Sequence, residues 1–315
     1  MKKNISLLFI LFSLHCFSQR KYAKEFSFLN DNDLYISTYQ DRYYTNGAFL
    51  TYRYLSEKQF KNIEKRAYEI QVGHHMYTPF KSVVETVEEH DRPFAGYLYG
   101  SFGINSFYKK EVILKTSIQI GVIGSHSFSE ELQDFIHKMY GFKKATGWDY
   151  QIKNAFAINF KTDYIKKITR NDVFDINWAN TAKLGTVYTD FSTGLYSRIG
   201  FKPLENIINS IAFNGNLNNS NTHFSNNAEV FLYIKPMIYY VAYDATIEGS
   251  FLANDDSPIT FDIEPFKFTS EIGLRFTSNR FNFGYAIHYH TRKLKSEHVS
   301  KGNFYGTIKL SYQFN

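Results

Sequence analysis

The 315-residue chain carries 36 lysines and arginines against 30 aspartates and glutamates, a formal net charge of +6. Its mean hydropathy of −0.36 and the lack of a second long apolar run exclude a bundle of membrane-spanning helices, each of which needs ~20 apolar residues. Aromatics are 18% of the chain, with 25 Tyr and 31 Phe against 2 Trp, which favours strands and membrane interfaces.

At the N-terminus, Lys2 and Lys3 precede an almost wholly apolar stretch from Ile5 to Phe17, and Ser18 and Gln19 end it. That is the layout of a secretory signal peptide over residues 1–19. Its removal takes both lysines, lowering the charge from +6 to +4, and also the one cysteine, Cys16. A lipoprotein reading of Cys16 is opposed by His15, which stands where a small residue is expected. Residues 20–315 are then a single large domain without disulfide or thiol chemistry.

Period-two alternation runs through this domain. Phe281, Phe283, Tyr285, Ile287 and Tyr289 share one face against Asn282, Gly284, Ala286, His288 and His290. Phe266, Phe268, Ile272, Leu274 and Phe276 oppose Lys267, Thr269, Glu271, Gly273 and Arg275. Twelve strands are predicted, near 24–31, 45–55, 66–75, 94–107, 111–123, 149–161, 171–184, 190–201, 228–243, 265–277, 280–292 and 303–314. A soluble sandwich also alternates, so single strands do not decide. The signal peptide, the run of about ten residues per strand and a last strand ending on Tyr312 and Phe314 favour an all-β transmembrane antiparallel barrel of the outer membrane. An even strand count puts both termini on the periplasmic side. Residues 56–62, 108–111, 161–171, 204–227 and 278–280 become periplasmic turns. The Asn-rich 204–227 stretch is long for such a turn, and the sequence gives no reason for it.

The unusual residues then gather at the extracellular rim. Asn30-Asp31-Asn32-Asp33 ends the first strand, and Asp41-Arg42-Tyr43-Tyr44-Thr45-Asn46-Gly47 opens the second. His74 to Pro79 ends the third, Asp91-Arg92-Pro93-Phe94-Ala95-Gly96 opens the fourth, and Gly121-Val122-Ile123-Gly124 ends the fifth. Loop-borne sites are built by such clustering. Residues 127–139 read as a short extracellular helix, with Ser127 and Glu130 spaced as a capping box. Gln133 and His137, four apart, share its face.

In order and spacing, these elements resemble the lipid A 3'-O-deacylase family, LpxR, over roughly residues 26–154. They are the Asn30-Asp31 pair, Asp-Arg…Tyr-Thr-x-Gly, Tyr77-Thr78-Pro79, Asp91 to Gly96, Val122-Ile123-Gly124, Gln133-x-x-x-His137 and Trp148-x-x-Gln151-Ile152. The resemblance implies a twelve-stranded barrel and a calcium-dependent esterase that removes the 3' acyl group of lipid A. It implies Asn30, Asp31, Thr45, Gln133 and His137 as catalytic residues. His137 is then the general base, and Asp31 orients the site or helps hold calcium. Lys81, after the Tyr-x-Pro turn, is the candidate for substrate binding. Expected partners are lipopolysaccharide and membrane lipid, with no nucleic acid. The chain is expected to be a monomer with its site facing the outer leaflet.

The chemistry suits those residue types. Histidine supplies a base near neutral pH, and a hard cation on Asp and Asn oxygens supplies charge for an oxyanion. Ser125, Ser127 and Ser129 offer a rival nucleophile, although no Gly-x-Ser-x-Gly element is present. Other bland readings stay open: an Asx-turn for Asn30-Asp31, an interfacial role for His74 and His75, and a rim salt bridge for Asp91 and Arg92. The alternative for the whole chain is a non-catalytic porin or adhesin that retains the loop motifs.

Overall fold

The computed structural model describes residues 21–36, 43–81, 83–84, 86–222, 228–296, 299 and 301–315. The signal-peptide assignment and the Asp41-Arg42 pair lie outside them. The strands are β1 (Lys24–Asn32), β2 (Tyr43–Leu55), β3 (Ile63–Thr78), β4 (Ala95–Tyr108), β5 (Val112–Ile123) and β6 (Ala155–Arg170). They continue as β7 (Phe174–Gly185), β8 (Tyr188–Gly200), β9 (Val230–Asp244), β10 (Phe266–Ser278), β11 (Phe281–Thr291) and β12 (Gly302–Phe314). Every strand pairs antiparallel with its sequence neighbours, and β1 closes the barrel on β12 with Phe28 opposite Leu310 and Asn30 opposite Ile308. Closure leaves no strand edge unpaired, the condition for crossing hydrocarbon with strands.

Alternation sorts the side chains. Leu50, Ile70, Val72, Ile118, Ile120, Phe156 and Ile272 are exposed on the outer wall, while Arg53, Gln71, Lys161, Lys235 and Glu271 line the lumen. In water this apolar wall would be a large sticky patch; in a bilayer it is the belt a spanning barrel needs. Unboiled protein in detergent is therefore expected to migrate apart from boiled protein and to give β-rich circular dichroism. Protein that stays monodisperse without detergent would contradict the belt.

The two barrel ends differ. Connections 56–62, 109–111, 171–173 and 279–280 and residues 201–222 lie at the end with both termini. The other end carries two short helices, α1 (Ser129–Tyr140) and α2 (Ala245–Glu248). All the described rim motifs fall at this helix end, as the sequence map requires.

Two expectations need correction. The sixth strand is shifted: Trp148 sits in a 3-10 turn (Gly147–Tyr150), and β6 runs on to Arg170 through the stretch expected to turn. The charged residues of that stretch belong to the barrel. Lys161 pairs with Asp163 at 3.1 Å, and Lys167 and Arg170 both reach Glu111 across the wall.

The second concerns residues 204–222, which fold back into the lumen as a plug. Ile207, Ile208, Ile211, Ala212, Phe213 and Leu217 are buried against Ala67, Phe107, Tyr196 and Tyr233 of the inner wall. Basic wall residues hold the plug backbone. Lys65 Nζ donates to Asn209 Oδ1 at 2.8 Å and to the Gly215 and Leu217 carbonyls. Lys115 donates to the Phe213 carbonyl at 2.8 Å, and Arg275 to those of Ile211 and Ala212 at 3.0 and 3.2 Å. The asparagines make the path possible: Asn214 takes a left-handed φ of 55°, and Asn218 bonds the Asn216 carbonyl at 3.0 Å.

Candidate active site

Adjacent strand residues point to opposite faces, and that decides where the Asn30-Asp31 pair goes. Asp31 enters the lumen and accepts the hydroxyls of Tyr44 at 2.8 Å and Thr307 at 2.5 Å. Thr307 in turn meets His288 Nε2 at 2.8 Å. Asn30 faces outward. Its Nδ2 donates to the Gly47 carbonyl at 2.8 Å and leans on Asn46 Oδ1 at 3.5 Å, and its Oδ1 accepts from the Tyr35 hydroxyl at 2.6 Å. Burial, and then the charges of Tyr140 and Asp31, raise the Tyr35 pKa above its ordinary value, so Tyr35 remains a donor.

A β-bulge redirects Thr45. The β2–β3 register slips between Tyr44 and Asn46, leaving Thr45 as the extra residue. Tyr44 keeps to the lumenal row with Asp31, while Thr45 turns away from it to meet Thr78 hydroxyl to hydroxyl at 2.5 Å. Thr78 shares its outward row on β3 with His74 and Met76, and all three are buried.

What buries them is the loop carrying α1. The expected capping box is not formed. Phe128, the residue before the helix, is left-handed (φ 58°) and no side chain caps the N-terminus. Ser127 instead donates to the Gly124 carbonyl at 2.6 Å and meets Ser129 at 2.9 Å, and Ser129 meets His74 Nε2 at 2.9 Å. The helix start sits so close to β4 that a Cβ on Gly96 would lie 1.9 Å from Ser127 Oγ and 2.0 Å from Ser129 Oγ. Gly141, at φ 74°, ends the helix.

Ser129, Gln133 and His137 recur every four residues and form the buried row of α1. Because Ser129 rests on His74 and Gly96, that row faces the outer wall. From Ser129 to His137 the helix advances ~12 Å, between two and three strand spacings. At the far end, Tyr140 is near enough to Tyr35 for its charge to act on it. The polar groups of α1 are fixed in direction. The Trp148 indole donates to Gln133 Oε1 at 2.7 Å, making Nε2 the amide's donor end. The Lys143 carbonyl lies 2.5 Å from His137 Nδ1; a carbonyl only accepts, so Nδ1 carries the proton and Nε2 is the basic nitrogen.

Asn30 and Thr45 thus face out from β1 and β2, Gln133 and His137 lie on the buried row of α1, and Asp31 stays on the lumenal side. Lys81 lies exposed at the same barrel end. His74, read as interfacial, is an anchor of α1, and His75 faces the lumen. Asp91 and Arg92 do not pair with each other. Asp91 accepts the Phe80 amide at 2.9 Å, and Arg92 bonds the Thr246 carbonyl at 3.0 Å and stacks on Tyr77. The serine rival is weak: Ser127 and Ser129 are each 1% exposed, and among the described residues His74 Nδ1 has no hydrogen-bond partner to orient it. Tyr35, Asn46, Thr78 and Trp148, which contact the candidate residues, were given no role by sequence reasoning, although the last three lie inside its motifs.

A family model described as "Outer membrane protein LpxR" matches residues 5–314. Among solved structures, LpxR from Salmonella typhimurium superposes with a TM-score of 0.73 at 17% identity, covering 92% of this chain and 100% of that one. The β-domain of the Bordetella autotransporter BrkA aligns at a TM-score of 0.49 and 6% identity, covering 94% of this chain and 99% of that one. No curated protein sequence matches the chain.

Proposed function

The chain belongs to the LpxR family of outer-membrane proteins, and from that premise we propose that it is a lipid A deacylase, a carboxylic-ester hydrolase that removes the 3' acyl group. The observation that carries the proposal is His137, held on the wall-facing row of α1 with its Nδ1 on the Lys143 carbonyl. In this reading the helix end faces outward, the site meets the outer leaflet, and the chain acts as a monomer.

Each group then has a task. Nε2 of His137 takes a proton from water as the water attacks the ester carbonyl, and returns it to the departing sugar oxygen. The Gln133 amide and the Thr45 hydroxyl offer hydrogen bonds to the developing oxyanion. Asn30, locked between Tyr35 and Gly47, positions the wall side of the site. Lys81 meets a lipid A phosphate. The freed acyl chain stays with the exposed apolar side of α1, where Phe135 and Met139 are 63% and 61% exposed. The lumenal plug weighs against the porin alternative, since a channel needs an open bore. Mass spectrometry of lipid A from cells with and without the protein tests the reading, the expected difference being one 3' acyl chain. Identical lipid A in both would reject it.

Calcium enters the proposal through the family resemblance. Asp31 and Asn30 do not fit one ion, because their side chains lie on opposite sides of the wall and both Asp31 oxygens already accept hydroxyls. On the outer side the oxygens of Asn30, Asn46, Thr45 and Thr78 are neutral, a donor set that suits a hard cation weakly, at roughly 10⁻⁴–10⁻³ M. A bound ion would supply positive charge near the ester oxygen. Excess chelator is expected to stop acyl release and added calcium to restore it. Full activity in chelator would remove the ion from the mechanism.

A further inference from the structure

The lumen above the plug contains a cavity of about 540 Å³ lined by eight lysines and arginines and four aspartates and glutamates. Several of the cations are spoken for. Lys183 pairs with Asp190 at 3.2 Å, Lys161 with Asp163 at 3.1 Å, and Arg53 with Glu25 at 2.7 Å. Arg275 and Lys309 hold the plug.

Lys235, Lys267 and Lys293 remain, and among the described residues none forms a salt bridge. Lys235 stands opposite Glu271 in the β9–β10 register and acts on it by charge, without a salt bridge between them. Asp244, near Lys293, is turned to α2, accepting the Thr246 amide at 3.0 Å and its hydroxyl at 2.6 Å. Lys267 lies 4.3 Å over the Tyr239 ring, and Lys293 is 5.7 Å from both Tyr44 and Tyr77. Such ring contacts orient an ammonium without cancelling its charge. Lys293, just beyond the end of β11, is pushed down to about 7 by burial and then by Lys267 and Arg92, as a cation among cations is.

We propose that this lumenal cavity binds a multiply phosphorylated small polar ligand through Lys235, Lys267 and Lys293. In the β9–β10 register Lys235 and Lys267 are four residues apart, ~13 Å along the strands. A ligand with several phosphates spans that gap better than a single one does. The binding is separate from ester hydrolysis, so its test stands whether or not the deacylase reading does.

Calorimetry on the full protein in zwitterionic detergent tests it, with inorganic phosphate, pyrophosphate and tripolyphosphate as probes. Saturable one-to-one binding is expected to tighten along that series and to weaken as salt rises. Lys235→Gln with Lys267→Gln should weaken tripolyphosphate binding by about tenfold or more, while the exposed Lys58→Gln leaves it unchanged. Boil-dependent migration shows which variants have folded, and Lys293→Gln, outside the strands, serves if the double variant has not. A parallel titration with the fully deacylated diphosphoryl disaccharide of lipid A identifies the source. Tighter binding than tripolyphosphate points to a lipid headgroup, and weaker binding to a free phosphate compound. No saturable binding by wild type, or equal binding by the folded variants, overturns the proposal.

Discussion

His137→Ala is expected to assemble into the membrane in normal amounts and to leave lipid A with its 3' acyl group. Loss of a positioned general base typically slows such a step by ~10²–10⁴-fold. The ring is anchored through Nδ1 to the Lys143 carbonyl, and the substitution costs that bond and the ring's contact with Phe142. The closed strand ladder, which the assembly test reads, does not depend on it. His137→Gln is the sharper variant, because it keeps polarity and some volume and still lacks a basic nitrogen. Gln133→Ala should lose less, since it removes a donor rather than the base. Asp31→Ala is expected to act indirectly. It strips Tyr44 and Thr307 of their shared acceptor across β2, β1 and β12, so lost activity should come with lost thermal stability. Purified His137→Ala that deacylates lipid A at a rate comparable to wild type would end the assignment.

The barrel was readable because its cause is periodic. An apolar residue at every second position, repeated over strands of about ten residues, has few other solutions when the chain also lacks apolar helices. The same rule said that Asn30 and Asp31 must face opposite ways. Reading them as one polar motif obscured it. Thr45 was harder, because its direction depends on the bulge after Tyr44, and one inserted residue reverses the face of all that follows. The capping box failed for a related reason: a left-handed Phe128 turns Ser127 toward Gly124 and away from the helix. The plug was the least legible part. Its isoleucines form too short a run to mark an element, and their wall partners, among them Ala67, Phe107, Tyr196 and Tyr233, come from strands spread along the chain.

That plug supports the remaining large prediction, which concerns conductance. Barrels of eight strands are filled by their own side chains, whereas those of 16–18 leave an aqueous channel. Twelve strands fall between, so what occupies the lumen decides whether ions pass. Here residues 204–222 fill the terminal end, and Asn214 forms part of the floor of the lumenal cavity. The plug is held at several points. Arg198, fully buried, meets Asp175, Ser210 and Glu229, and Glu229 accepts the Ile211 amide at 2.8 Å. Lys65 and Lys115 grip plug carbonyls from the opposite wall. Wild-type protein in a planar bilayer is therefore expected to show little steady conductance. Replacing residues 206–218 by a short Gly-Ser linker should raise it severalfold, while the strands and α1 stay in place. Lys65→Met removes one grip and should produce brief openings. Deacylation by the linker variant should survive, because the site lies outside the wall and the plug inside it. A wild-type conductance already equal to that of the linker variant would mean that the plug does not close the bore, and the porin reading would return.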